Sequence, residues 1–326
     1  MKIRVPEYYL EFKCIADKCR DSCCIGWEID VDGATRQKYE ALEGALGREI
    51  REKTSHGCFP LEKNGRCAFL DEKGLCRIIK ALGDGYLCDI CREHPRYYGV
   101  GNGVIEGGLG LGCEEAARMI LSLKEVPKTV EIEREVHYFD EDEYADLSEY
   151  FRDRLTECVF DKPIDELVKS FVYYGTLADD VAFETVSVGK RALFLDVRSG
   201  NADAETAEEI YCAMLDAIAE CESLTEEWDM LVEKAREVDV KDALKALDGM
   251  RGLVYYFTHR YVREGITDMS LYPRIDFAIG SAMVVAAIST VIDGEDNAIR
   301  AAVEYSKNIE YSTDNVDEIL ENLTYM

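Results

Sequence analysis

Cys14-Ile15-Ala16-Asp17-Lys18-Cys19-Arg20-Asp21-Ser22-Cys23-Cys24 places four sulfurs in eleven residues, two of them adjacent. Scattered core cysteines rarely give a doublet plus two more at such spacing. A single loop of this kind presents several thiols to one point, and thiolates so placed bind a soft metal or an iron–sulfur cluster. A second run, Cys67, Cys76, Cys88 and Cys91, supplies further donors from a different loop, and Cys113 follows where a helix is expected to begin. The chain therefore opens with a metal-organised module. Its expected ligands are Cys14, Cys19, Cys23, Cys24, Cys67, Cys76, Cys88, Cys91 and Cys113. Tetrahedral zinc takes four ligands, so eight cysteines suffice for two ions, whereas one 4Fe–4S cluster takes four and leaves spares. All-sulfur coordination suits both; iron–sulfur is the preferred reading. The plainer alternatives are reduced core thiols or disulfides.

Basic residues interleave with the sulfurs: Lys13, Lys18, Arg20, Arg77, Arg92 and Arg96. Their charge favours thiolate over thiol. The start of a helix at Cys113 adds the helix dipole in the same sense. Ten of the 13 cysteines precede residue 114, and Met1–Pro6 carries charge and no apolar run. With no export signal there, the expected setting is the cytoplasm, where disulfides are disfavoured and free or metal-bound thiols expected.

The net charge of −28 is uneven. Residues 1–125 hold 19 Lys+Arg against 21 Asp+Glu, a balance of −2; the remainder holds 19 against 45, a balance of −26. That shift separates two regions, 1–125 and 126–326. An acidic field repels nucleic acid and attracts cationic partners; a merely solvated acidic surface is the plainer reading. The longest uncharged apolar stretch, Phe277–Ile292, has 16 residues, short for a membrane span. It reads as a buried core helix, and no membrane insertion is expected.

The expected fold is mainly α: a small irregular Cys-rich metal-binding module with a β-hairpin, followed by an all-α helical body. Val5–Lys13 leads in as a short strand or helix. Asp32 or Thr35 caps a helix over 34–53 with Tyr39, Leu42, Leu46 and Ile50 on one face. Cys76–Leu82 is a short helix stopped at Gly83. Tyr97–Val100 and Val104–Leu111 form a hairpin around Asn102–Gly103, a pair that accepts the positive φ of a tight turn. Seven glycines between Gly99 and Gly112 suit that hairpin better than a phosphate cradle. A helix follows over Glu114–Lys124, closed by Pro127. Beyond residue 140 helices are expected over 143–158, 164–174, 179–194, 204–221, 225–238, 241–264, 276–292, 298–309 and 314–323.

The residues Val5-Pro6-Glu7-Tyr8-Tyr9, Cys19 to Cys24 with Gly26-Trp27, Cys67-Ala68-Phe69-Leu70, Gly74-Leu75-Cys76-Arg77, Cys91-Arg92-Glu93-His94-Pro95-Arg96 and Gly112-Cys113-Glu114-Glu115 resemble the flagellin lysine-N-methylase family over about residues 1–125. Tyr255-Tyr256-Phe257 with Arg260-Tyr261 is weakly similar to a helix of the same family. The spacing of the first run, four and three, departs from the CxxCxxCC pattern of the wider group of zinc- or iron-chelating domains. The resemblance implies methyl transfer from S-adenosylmethionine to lysine side chains of flagellin, with an iron–sulfur cluster. The radical-type spacing CxxxCxxC is absent, so a polar transfer is expected, in which a neutral lysine amine attacks an activated methyl.

No glycine-rich cofactor fingerprint occurs, so S-adenosylmethionine enters through the resemblance alone. Glu28, Asp30 and Asp32 alternate along an extended segment and place three carboxylates on one face for a substrate lysine; Glu106 of the hairpin is a further acid. A solvated face is the plainer reading of each. Trp27, Tyr97 and Tyr98 offer rings for a sulfonium or ammonium, or simply wall the module. Arg92 and Arg96 balance cluster charge, the preferred role, or bind the donor's carboxylate. His259 and Arg260 read as packing. The function expected is a lysine N-methyltransferase; the alternatives are a non-catalytic metal-binding scaffold and an iron–sulfur electron carrier.

Overall fold

In the computed structural model, residues 2–20, 22–63, 65–101, 104–134, 145–188, 204–262 and 271–324 are described. Strands are β1 (Lys2–Pro6), β2 (Ile29–Asp30), β3 (Cys58–Phe59), β4 (Arg96–Gly101), β5 (Val104–Leu109) and β6 (Thr129–Glu133). Helices are α1 (Gly33–Glu40), α2 (Gly44–Lys53), α3 (Arg77–Leu82), α4 (Asp89–Glu93), α5 (Glu114–Leu121), α6 (Ala145–Asp161), α7 (Ile164–Val188), α8 (Ala204–Glu220), α9 (Glu226–Arg236), α10 (Val240–Asp248), α11 (Gly252–Tyr261), α12 (Leu271–Val291), α13 (Asn297–Tyr305) and α14 (Thr313–Thr324). The fold is mainly α, as expected.

The body is organised around α12. Its sequence is apolar all round, the pattern of a helix buried on every face, and 17 of its 21 residues are buried. Helices α7 to α11, α13 and α14 all pack on it. This helix alone, among the described residues, is long and apolar enough to cross a membrane, and 83% of its most apolar window is covered by the rest of the protein. Phe257 and Tyr261 of α11 meet Phe277 edge-on, with ring centroids 6.3 and 4.8 Å apart, a favoured aromatic geometry.

A four-stranded sheet, order β4-β5-β1-β6, lies against this core. β1 runs parallel to β5, with Ile3 opposite Ile105, and antiparallel to β6, with Ile3 opposite Ile132. Ile3, Val5 and Ile105 share one hydrophobic core with the helices. β6 is a strand inside the stretch expected to be all helical. Thr129-Val130-Glu131-Ile132-Glu133 alternates in burial, and that two-residue period was its signal. The hairpin forms as expected; its Asn102–Gly103 turn lies outside the described residues, as do the ends of the helices expected over 143–158, 179–194 and 241–264.

Three helix boundaries differ from the periodic pattern for steric reasons. The helix expected over 34–53 is two, α1 and α2, because the chain turns between them and Gly44, where α2 opens, takes φ +85°, which a helix interior does not accommodate. The helices expected over 164–174 and 179–194 run together as α7, since Gly175 is tolerated within a helix that packs on Tyr272 of α12. The helix expected over 241–264 breaks between α10 and α11. There the chain turns so that Gly252 packs directly on the Ile120 carbonyl, and any Cβ would sit 1.8 Å from that oxygen.

A second, smaller core lies within residues 29–91. Ile29, Tyr39, Ile50, Phe59, Phe69 and Ile78 are its largest members, and Cys67, Cys76, Cys88 and Cys91 pack in or against it. Its secondary structure is sparse: the two-residue β2–β3 ladder and four short helices. Asp32 ties it together. Its carboxylate caps α1 through the Thr35 amide at 2.8 Å and accepts from the Asp89 amide of α4 at 3.0 Å.

Candidate functional site

The thiols are positioned largely by backbone. The Cys67 amide donates to the Cys24 carbonyl at 2.8 Å, which brings the two cysteine runs side by side. Cys76, Cys88 and Cys113 each stand at the N-cap of a short helix, α3, α4 and α5, where the dipole favours negative sulfur, but burial outweighs it at Cys76 and Cys113 and raises both, against the thiolate expected at Cys113. The Arg20 amide donates to Glu114 at 2.7 Å and so draws the first run toward Cys113.

Two groupings follow. Cys23 and Cys24 share a side-chain hydrogen bond, which pushes Cys23 up and lowers Cys24 to about 7; the charges of Cys113 and Cys14 raise Cys23 further. Cys88 and Cys91 share a second such bond, lowering Cys88 and raising Cys91, with Cys24 and Cys67 adding to the rise. Burial lifts Cys67 to about 11. Each pair thus holds one thiolate-favouring and one thiol-favouring sulfur, the arrangement of sulfurs that repel when both are ionised. Among the described residues no three His, Cys, Asp or Glu side chains are gathered as a ready cage for an ion. The donor chemistry nonetheless suits a soft metal, because the Cys24–Cys67 backbone contact brings residues of both runs side by side. Three of the basic residues expected to favour thiolates are engaged elsewhere: Arg20 pairs with Glu114 and Asp296, Arg77 with Glu49, and Arg92 with Asp89 and Glu93. It is Arg66 whose charge helps lower Cys24.

Next to the first thiol group opens a cleft of about 800 Å³. Trp27, α4, β4, Gly110, Arg134, Arg260 and Tyr311 line it. Trp27 donates its indole N–H to the Cys23 carbonyl at 2.9 Å and lays its ring 4.9 Å from that of Tyr311. His94 completes a triangle of rings, 6.3 Å from Trp27 and 6.4 Å from Tyr311. Burial, with the charges of Lys307 and Arg96, lowers His94 to about 4, so it is neutral at neutral pH. Burial also raises Tyr311 and keeps it protonated. The His94 Nε2 and the Tyr311 hydroxyl are both buried without a hydrogen-bond partner, a costly condition that a bound ligand would relieve.

The far wall is ionic. Arg134 donates to the Tyr9 hydroxyl at 2.8 Å and pairs with Glu93, which also accepts from Tyr98 at 3.1 Å. Arg260 lies 4.6 Å over the Tyr97 ring and 3.1 Å from Glu310. A π turn over Ser306–Glu310 ends α13. That single wider turn, a feature common at functional sites, places buried Glu310 against Arg260 and leads into Tyr311 of the cleft. The hairpin glycines make the space: a Cβ on Gly112 would lie 2.2 Å from the Tyr311 hydroxyl, and one on Gly108 would lie 2.4 Å from that of Tyr97. Several glycines of Gly99–Gly112 therefore serve ring packing as well as the hairpin.

Of the residues singled out in the sequence, Trp27, Arg92, Arg96, Tyr97 and Tyr98 meet in this cleft. The acids do not. Glu28 is exposed beside the Cys58 thiol at 3.9 Å, and Asp30 is exposed on β2. Asp32 is consumed as a cap. Glu106 turns into the body and pairs with Arg152 of α6 at 2.5 Å, both buried. His94, Arg134, Arg260 and Tyr311 escaped the sequence reading as cleft residues. Only the aromatic pattern around Arg260 was visible, and it reads equally as packing.

An aromatic cleft with a few convergent polar groups is the kind of site that takes a small organic ligand, and the protein that carries it is mainly helical with a thiol-rich N-terminal part. Over 127 residues, 36% of its length, the chain is 34% identical to proteins named Lysine-N-methylase from Salmonella typhimurium and Salmonella choleraesuis. It is 34% identical over 127 residues to the Flagellar biosynthetic protein FliU of Salmonella muenchen, 75% of which is covered. The chain belongs to this family, that of the flagellin lysine-N-methylases. It spans about a third, 32%, of the two Lysine-N-methylases. No family model and no solved structure matches it.

Proposed function

We propose that the protein is an S-adenosylmethionine-dependent protein-lysine N-methyltransferase acting on flagellin, and that the cleft between Trp27, β4 and Tyr311 is its active site. The observation that carries this reading is the meeting of Trp27, Arg92, Arg96 and Tyr97, from separate chain segments, in one cleft of a chain in this family. Bound there, S-adenosylmethionine supplies an electrophilic methyl: the lysine nitrogen lone pair forms the new N–C bond, the S–C bond breaks, and its electron pair stays on sulfur. Trp27, Tyr97 and Tyr311 offer ring faces to the sulfonium and to the base. The cleft acts on the nucleophile: desolvation disfavours an ammonium over the neutral amine. A lysine entering there gives up its proton to solvent and arrives as the neutral amine. Neutral His94 and protonated Tyr311 themselves carry no charge that competes with the amine.

Cys14, Cys19, Cys23, Cys24 and Cys113 on one side, and Cys67, Cys76, Cys88 and Cys91 on the other, would hold a 4Fe–4S cluster or zinc, with iron–sulfur the preferred occupant. The metal would fix the loop that carries Trp27 and the short helix that precedes His94. The acidic surface of the body suits a lysine-bearing partner. The test is incubation of anaerobically purified, metal-analysed protein with S-adenosylmethionine and flagellin, read by intact mass. Mass gains in whole methyl units are expected; no gain with fully metallated protein overturns the catalytic reading and favours a scaffold.

A further inference from the structure

We propose that Arg96 is the carboxylate anchor of this cleft, receiving the amino-acid end of the methyl donor, with the Tyr311 hydroxyl and the His94 Nε2 completing its polar contacts. This rests on the cleft being the donor site. The four cleft arginines differ in one respect. Arg92, Arg134 and Arg260 each pair with an acid, Asp89 and Glu93, Glu93, and Glu310 respectively. Arg96 pairs with none among the described residues, and its Nε is buried without a hydrogen bond. Its guanidinium instead stacks between Tyr9 and Phe12, 5.4 and 5.3 Å from their centroids. Stacking fixes the plane of the fork while leaving its donors free, which is how an arginine is prepared for a bidentate carboxylate. A cation held in a half-buried cleft without a counter-ion is costly, and a bound anion removes that cost. Two more buried polar atoms without partners belong to residues of the same cleft, His94 and Tyr311. The ring surface of Trp27 beside them suits a nucleobase. The ligand these features describe is an aromatic nucleoside carrying a carboxylate.

The experiment is calorimetric binding of two nucleosides to the metallated protein and to Arg96→Met. S-adenosylhomocysteine has the amino-acid end; 5′-methylthioadenosine lacks it. R96M is expected to bind S-adenosylhomocysteine on the order of 10- to 100-fold more weakly, the range for a hydrogen bond to a charged group. It is expected to bind 5′-methylthioadenosine as the native protein does, which also reports an intact cleft. Tyr311→Phe is expected to show the same selectivity at smaller size, and serves if R96M does not fold. In turnover, R96M should raise KM for the donor and leave KM for flagellin unchanged; a change in the flagellin KM instead would place the bound carboxylate on the protein substrate. Equal affinity of R96M and native protein for S-adenosylhomocysteine, or equal loss for both nucleosides, overturns the role of Arg96 alone. Failure of the native protein to bind either nucleoside overturns the donor reading of the cleft and this inference with it.

Discussion

The small core around Tyr39, Ile50, Phe69 and Ile78 and the large core around α12 draw on the same apolar residue types, yet they are secured differently. In the large core one helix is buried on every side by seven others. Contacts there are between long elements, and each buried aromatic contributes on the order of 2–3 kcal/mol through burial alone. The small core has nine fully buried residues to order a segment of about sixty, with helices of five to ten residues and a two-residue ladder. Units with so little buried surface usually need a staple, a metal or disulfides. Its four cysteines sit where such a staple would act. The contrast is between a core closed by long packed helices and one with little buried surface, in and against which four free cysteines pack.

The largest test of that contrast is removal of the metal proposed above. After chelation, or in Cys88→Ser/Cys91→Ser, amides of Ile50, Phe69 and Ile78 should lose hydrogen-exchange protection by several kcal/mol, while α12 stays protected; unchanged protection in the small core would dissolve the distinction. Next in size, Phe277→Ala should cost about 3–5 kcal/mol in the unfolding of the helical body without lowering metal content per chain. A loss of metal in that variant would mean that the two cores fold as one.

The pH dependence sharpens the picture of the large core. Burial raises Asp276 to about 7, and one of its oxygens has no hydrogen-bond partner. The folded state therefore binds this proton more tightly than the unfolded chain, whose Asp titrates near 3.9. Stability from this group is present below the unfolded pKa and is lost as pH rises toward 7. Asp276→Asn should flatten that decline between about pH 4 and 7 and stabilise the protein by on the order of 2–4 kcal/mol at pH 7 and above, measured by denaturant melts across pH. The smallest effect is expected at the sheet edge. Glu131→Gln removes the exposed pair with Lys2 and should change stability by less than about 0.5 kcal/mol; a larger loss would show that the β1–β6 edge depends on charge.

The family, the mainly helical fold, the hairpin and the burial of α12 were legible in the chain because each rests on local pattern: spacing of Cys14 to Cys24, helical periodicity, an Asn-Gly pair, an unbroken apolar run. β6 carried a readable alternation too. What escaped was decided by packing partners distant in sequence. Gly252 breaks a periodic helix because of Ile120, and Gly112 matters because of Tyr311. Glu106 reads as a hairpin acid but belongs to Arg152.

By itself the sequence determined which residue types this protein has available: a surplus of thiols at one end, acidic helices at the other, and aromatic and basic residues between. Only the tertiary structure decided which of them share a site. Tyr311 reaches Trp27 and His94 across more than two hundred residues of chain through a π turn, and Arg96, unlike Arg92, has no acid beside it among the described residues. Charge pairing and ring contact depend on separation in space, and one-dimensional spacing fixes that separation only within a turn or two of helix or strand.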